Sequence, residues 1–179
     1  MTNPKQIEMN MKKLKRGQVG VTLVELVIVV ALAGIVGAAI TATAFQVFTF
    51  STRLSNQMTA VRQVQQAGFW VSPDVMMAQT VTRGPNSGFP LTLTWQEWGT
   101  NTTHTVTYNL TYMSSELALL QREHRIGLSL NSTTAVAEYI DPTGTSFVLY
   151  GSAYNLTVTA TVGEQTETRA YEVKPRQGT

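Results

Sequence analysis

The chain has 179 residues and no cysteine, with 13 Lys and Arg against 11 Asp and Glu. That length allows one modest globular domain, and the missing cysteines exclude disulfides, thiolate metal sites and cysteine nucleophiles. The formal charge of +2 is uneven: Lys5, Lys12, Lys13, Lys15 and Arg16 precede Gly20 with Glu8 alone against them, so residues 21–179 hold 8 basic and 10 acidic side chains, net −2, without the basic footprint of a nucleic-acid binder.

Residues 1–11 are mostly polar, and Met11 before Lys12-Lys13 offers a second possible start. Gly17-Gln18-Val19-Gly20-Val21-Thr22-Leu23-Val24-Glu25 then opens an apolar run with no further charge until Arg53. A bilayer core about 30 Å thick needs roughly 20 apolar residues in a helix, and Leu26 to Phe45 supplies them. Basic residues ahead of the span hold that end in the cytoplasm and send the remainder outward. Within the span Gly34 and Ala38, and Ala33 and Gly37, form small-x-x-x-small pairs that let another helix approach closely in lipid.

Glu25 is the anomaly, because a carboxylate in a spanning helix costs on the order of 2.5–3.5 kcal/mol and calls for a partner. No basic side chain lies within helical reach on its C-terminal side, and Arg16 lies beyond the glycines. A cut between Gly20 and Val21 would create a cation, the new α-amino group, on the same chain or a neighbouring copy. A short basic leader ending in Gly20, then Val21, Thr22, Leu23, Val24 and Glu25 and an apolar helix, resembles the class III leader of type IV pilins and pseudopilins. The resemblance covers Lys12 to about Phe50. It departs at Val21, where the family usually has Phe, and in having no Pro within or just after the span.

The resemblance implies cleavage after Gly20 by a prepilin peptidase, methylation of Val21, and pairing of Glu25 with the terminus of an adjacent subunit, Thr22 belonging to the same assembly segment. It also implies, as partners, other pilin or pseudopilin subunits, an inner-membrane assembly platform and membrane lipid, in a surface or periplasmic filament. An ordinary signal peptide cut after Ala44 and a plain uncleaved anchor are the competing readings of the same segment. An adhesin or receptor domain on the same anchor competes for the outer part.

The helix need not stop at Phe50: Leu54, Met58, Val61, Val64 and Gly68 recur at three- and four-residue steps. A helix from about Thr22 to about Trp70 would be roughly 75 Å long. Ser72-Pro73-Asp74 reads as a helix restart with a Ser cap, Val75 to Gln79 as one or two turns, and Arg83 to Gly88 as a loop. From Phe89 the pattern is β. Leu91, Leu93 and Trp95 alternate with polar residues, as do Val106, Tyr108, Leu110 and Tyr112 within 104–113. Glu116 to Arg125 is a further strand, Asn131 to Thr134 a polar loop, Val136 to Ile140 a short element and Asp141-Pro142-Thr143-Gly144 a turn. Phe147 to Tyr150, Leu156 to Val162 and Thr166 to Val173 complete the sheet, the last two joined at Gly163-Glu164.

The expected fold class is therefore α+β: a long N-terminal transmembrane and amphipathic helix packed on an antiparallel sheet. Its parts are a cleaved leader (1–20), an assembly helix (21–52) and an extracytoplasmic head (53–179). The order of elements in the head resembles the J-type minor pseudopilins and related minor pilins, as a pattern without a diagnostic motif.

No catalytic constellation stands out, and no cofactor or metal is called for. His104 and His124 have no ligand or triad partner at a telling spacing and read as surface histidines. Glu164, Glu167 and Glu172 are spread along a hairpin and Asp141 stands alone, so no paired-carboxylate site is indicated. Trp95, Trp98, Tyr108 and Tyr112 could form an aromatic platform, with core packing the alternative, above all for Trp95. Four Asn-x-Ser/Thr sequons, at Asn101, Asn109, Asn131 and Asn155, arise readily by chance in a Thr-rich chain. The expectation is a non-enzymatic structural subunit.

Overall fold

The computed structural model describes residues 20–175. The basic leader up to Val19 and the end of the tail from Arg176 lie outside the described residues. The chain divides between Phe48 and Thr49 into two compact units. One helix, α1 (Leu23–Met77), contributes to both, and eight strands follow: β1 (Thr80–Gly84), β2 (Gly88–Gln96), β3 (Thr103–Tyr112), β4 (Ala118–Ile126), β5 (Ser129–Ile140), β6 (Ser146–Tyr150), β7 (Ala153–Val162) and β8 (Gln165–Val173). The fold is α+β with an antiparallel sheet, as the periodicities predict.

In the first unit α1 is long and apolar enough to cross a membrane. It runs unbroken through Gly34 and Gly37. The hydroxyls of Thr41 and Thr43 donate to the carbonyls of Gly37 and Ala39, both at 2.9 Å, so neither is left without a partner in an apolar medium.

In the second unit the outer part of α1 covers the sheet on a stripe that keeps Val64 and Gly68 of the one the sequence suggested and departs from it at Leu54 and Met58. Ala60, Val64, Ala67, Val71 and Val75 are buried, whereas Leu54 and Met58 face water. Small residues won the inner positions because they let the helix settle close to the strands. At Gly68 an added Cβ would stand 2.3 Å from the Tyr171 ring, whose hydroxyl donates to the Val64 carbonyl at 2.9 Å. The core combines this stripe with Leu91, Leu93, Val106, Tyr108, Leu120, Ile140, Phe147, Leu156 and Val158. Each large side chain so buried contributes about 1.5–3 kcal/mol.

Three further expectations are corrected. The helix does not restart at Ser72; it continues to Met77 with Pro73 inside it. The bond Pro73 cannot donate is outweighed by burying Val71, Val75 and Ala78, packing overriding local propensity. The segment after the helix contains β1, which pairs with β2 from Thr80↔Thr94 to Gly84↔Gly88. Asn131 to Thr134 is not a loop but part of β5, where Ser132, Thr133 and Thr134 pair with His124, Glu123 and Arg122. Thr and Ser supply ladder hydrogen bonds as well as apolar residues do, so polarity alone misleads there.

The strand order departs from chain order at the end of the sheet. Strands β1 to β5 follow in order, but β5 meets β7 only at Ile140↔Ala160, while β6 and β8 flank β7. Where β5 lacks a neighbouring strand, the Gln63 side chain accepts the Glu138 N–H at 2.8 Å. The sheet curls enough for the Phe147 N–H to donate to the Ser87 carbonyl at 2.7 Å.

Candidate functional site

The residues that the leader motif singles out sit at the start of α1. Thr22 is its cap: the Thr22 Oγ1 accepts the Glu25 N–H at 3.3 Å and the Thr22 carbonyl accepts the Leu26 N–H at 3.1 Å. Thr22-Leu23-Val24-Glu25 thus has the spacing of a capping box, and Glu25 stands in the first turn, where the helix dipole favours an acid. Gly20 and Val21 precede the helix and are exposed. Among the described residues Glu25 makes no ion pair within the chain. Gly34 and Gly37 have open space where a side chain would be, and Ala38 is exposed beside them. The whole apolar face of this unit is therefore uncovered in the single chain, from Val21 at 67% exposure to Phe48 at 72%.

Two clusters in the second unit escaped the sequence reading. Asp74, expected at a helix start, is buried instead. It accepts two bonds from Arg122, from Nε at 2.7 Å and Nη2 at 3.2 Å, and one from the Tyr108 hydroxyl at 2.5 Å. The Arg122 guanidinium also lies 5.4 Å from the Trp70 ring centre. Burial works against the Arg122 charge, but Asp74 outweighs it and raises the guanidinium pKa; burial and the Asp74 charge together push the Tyr108 hydroxyl upward. With every partner inward, this cluster fastens the last turns of α1 to β3 and β4.

The second cluster is a row of rings. Trp95 stacks on His104 with centres 5.4 Å apart, and His104 lies 5.3 Å from His124. One set of tautomers satisfies every contact: Asn131 donates to His124 Nδ1 (3.3 Å) and His124 Nε2–H donates to His104 Nδ1 (3.0 Å), leaving His104 Nε2–H toward Glu97 (3.8 Å). The histidines are half-buried and paired, not free surface groups. Parity held the clue, since Trp95, His104 and His124 continue the inward alternations of Leu93, Val106 and Leu120. Burial, then the positive charge of Arg122, lowers the His124 pKa. Among the described residues no group of three His, Cys, Asp or Glu side chains could hold a metal ion.

The four aromatic residues considered as a platform do not converge. Trp95 belongs to the ring row, Tyr108 is buried on Asp74, Tyr112 lies at the opposite end of β3 from His104, and Trp98 stands 86% exposed in the β2–β3 loop. Asp141 forms a local turn, its Oδ1 accepting the Thr143 N–H at 2.8 Å and hydroxyl at 2.7 Å. Comparison with known protein families, with curated proteins and with solved structures finds no match.

Proposed function

We propose that this chain is a structural subunit, a minor pilin or pseudopilin, of a type IV pilus or type II secretion-like filament. In this reading a prepilin peptidase trims the chain after Gly20 and methylates Val21, and the N-terminal helix carries assembly onto an inner-membrane platform, with the leader in the cytoplasm and the sheet outside. The observation that carries it is the junction itself: a basic leader ending in Gly20, a capped Thr22-to-Glu25 turn, and an apolar helix uncovered on every side. An uncovered face of this size needs lipid or other helices around it. In lipid, Gly34, Gly37 and Ala38 supply flat surface for close helix contact, and Glu25 supplies a charge that a neighbour's Val21 amine would neutralise.

The test is the mass of the N-terminal peptide from expressing cells. A methylated Val21 start is the expected result, with Gly20→Val leaving an unprocessed precursor in the membrane. A start at Phe45 would overturn the reading in favour of a protein released by ordinary signal peptidase. Trp98 favours a second reading, a membrane-anchored binding domain, because a ring so exposed on a loop suits contact with a sugar or a surface. Loss of binding to such a surface in Trp98→Ala, with filaments unchanged, would support it.

A further inference from the structure

The fold treats the four Asn-x-Ser/Thr sequons differently. Asn109, Asn131 and Asn155 lie within β3, β5 and β7. The amide nitrogen of Asn131, the atom that would take a sugar, already donates to His124 Nδ1 at 3.3 Å. Asn109 is half-buried opposite Gln121, and Asn155 is half-buried between Val148 and Glu172 with its Oδ1 buried and unpaired. Asn101 instead lies exposed in the β2–β3 loop with φ 54°, a left-handed turn conformation that Asn accepts better than most residues. The Glu97 N–H closes this loop by donating to the Thr102 carbonyl at 2.9 Å, and the Thr100 hydroxyl donates to the Glu97 carboxylate at 2.8 Å. Among the described residues neither the Asn101 amide nor the hydroxyl of Thr103, the residue that completes the sequon, has a side-chain partner. Three residues before Asn101 stands Trp98, 86% exposed and, among the described residues, without a ring contact. The Gly127 N–H donates to the Thr103 carbonyl at 2.8 Å, so the β4–β5 turn with its fully exposed Leu128 adjoins the loop. This end of the sheet thus bears exposed apolar groups on two neighbouring turns.

We infer that Asn101 is a site of N-glycosylation and that Trp98 seats the first sugar of the attached glycan. The co-reactant is an oligosaccharide carried on a lipid phosphate. The Asn101 Nδ2 bonds to the anomeric carbon of that sugar, and the bond from the same carbon to the phosphate oxygen breaks. The lipid phosphate leaves with the electron pair, and the amide nitrogen gives one proton to a base of the membrane transferase. Once attached, the sugar turns the C–H groups of one face toward the electron-rich face of the indole. Tethering three residues from Trp98 makes this contact intramolecular, so it needs no independent affinity for free sugar. The glycan covers an apolar end that otherwise meets water, and the loop carries its bulk without interrupting a strand ladder. The inference rests on the filament reading in one respect: that reading puts the sheet outside the cytoplasm, where a transferase of this kind works.

The test uses the full-length protein from the membranes of its own cells. Peptide masses, with fragmentation that keeps the glycosidic bond, should show a sugar on Asn101 and none on Asn109, Asn131 or Asn155. Asn101→Gln should lose the added mass, and so should Thr103→Ala, which leaves the left-handed Asn101 in place. A water-soluble indole reagent should modify Trp98 at least about two-fold more slowly in the original protein than in Thr103→Ala, because the sugar shields one of two ring faces. A bare Asn101 overturns the inference. If Val21 is trimmed and methylated in that same sample, the filament reading stands without the glycan; if it is not, both fail. Equal occupancy of the strand sequons overturns the selection by the fold, and equal Trp98 reactivity overturns the seating. Binding of a separate sugar that needs Trp98 while Asn101 is bare assigns the ring to an external ligand and also overturns the inference.

Discussion

Replacing Asp74 by Ala isolates the energetics of the buried cluster. The Asp74 side chain is 7% exposed and the Arg122 side chain 11%, so the substitution strands a guanidinium that cannot discharge by losing a proton. Breaking a buried pair from one side costs about 3–5 kcal/mol. The Tyr108 hydroxyl loses its acceptor as well, while the Trp70 face still offsets about 1 kcal/mol of the Arg122 charge. The expected loss is therefore about 3–4 kcal/mol, a large share of the 5–15 kcal/mol typical of a domain. The assay is urea unfolding of a fragment beginning at Leu54, expected to be soluble, monomeric and mostly β, followed by circular dichroism and the fluorescence of Trp70 and Trp95. With a slope of about 2 kcal/mol per molar urea, the midpoint should fall by roughly 1.5–2 M. The paired replacement Asp74→Leu with Arg122→Met removes both charges and should recover part of the loss, the orphaned Tyr108 hydroxyl still costing about 1–3 kcal/mol. A loss below about 1 kcal/mol for Asp74→Ala, or a double variant as unstable as the single one, would refute the argument.

Gly68→Ala gains about 1 kcal/mol of helix propensity but drives a methyl into the Tyr171 ring, an overpacking worth about 1–3 kcal/mol; net destabilisation is expected in urea, and Tyr171→Ala in the same background should abolish the clash. His124 has a lowered folded pKa, set by burial, Arg122 and His104 against the pull of Asp74, with Glu97 beyond His104. The unfolded chain then takes up a proton first as pH falls through about 6.5, so stability should drop on acidification from pH 7.5 to about 5.5, and His124→Gln should flatten that slope. Glu25→Ala should insert and be cut after Gly20 yet enter sheared filaments poorly, Glu25→Asp being intermediate, because only assembly places the carboxylate where leaving it unpaired costs several kcal/mol. Equal incorporation of Glu25→Ala, counted as mature subunits, would show that the charge does not set the register.

The sequence by itself determined what depends on neighbours along the chain. The apolar run from Leu26, the alternation of Leu91, Leu93 and Trp95, and the Gly163-Glu164 turn follow from local periodicity and backbone preference, and all appear where expected. The α+β class follows from those elements together. Tertiary structure alone decided which of several permitted local states survived. Pro73 stayed inside the helix because Val71 and Val75 had a sheet to bury against, and Asn131 to Thr134 became strand because β4 offered a ladder. The Asp74–Arg122 pair joins residues 48 positions apart and the His104–His124 pair joins residues 20 apart, the second through a register in which Val106 faces His124. Such contacts depend on strand register and helix placement, which the burial of the whole core selects, and no short window of sequence contains that sum.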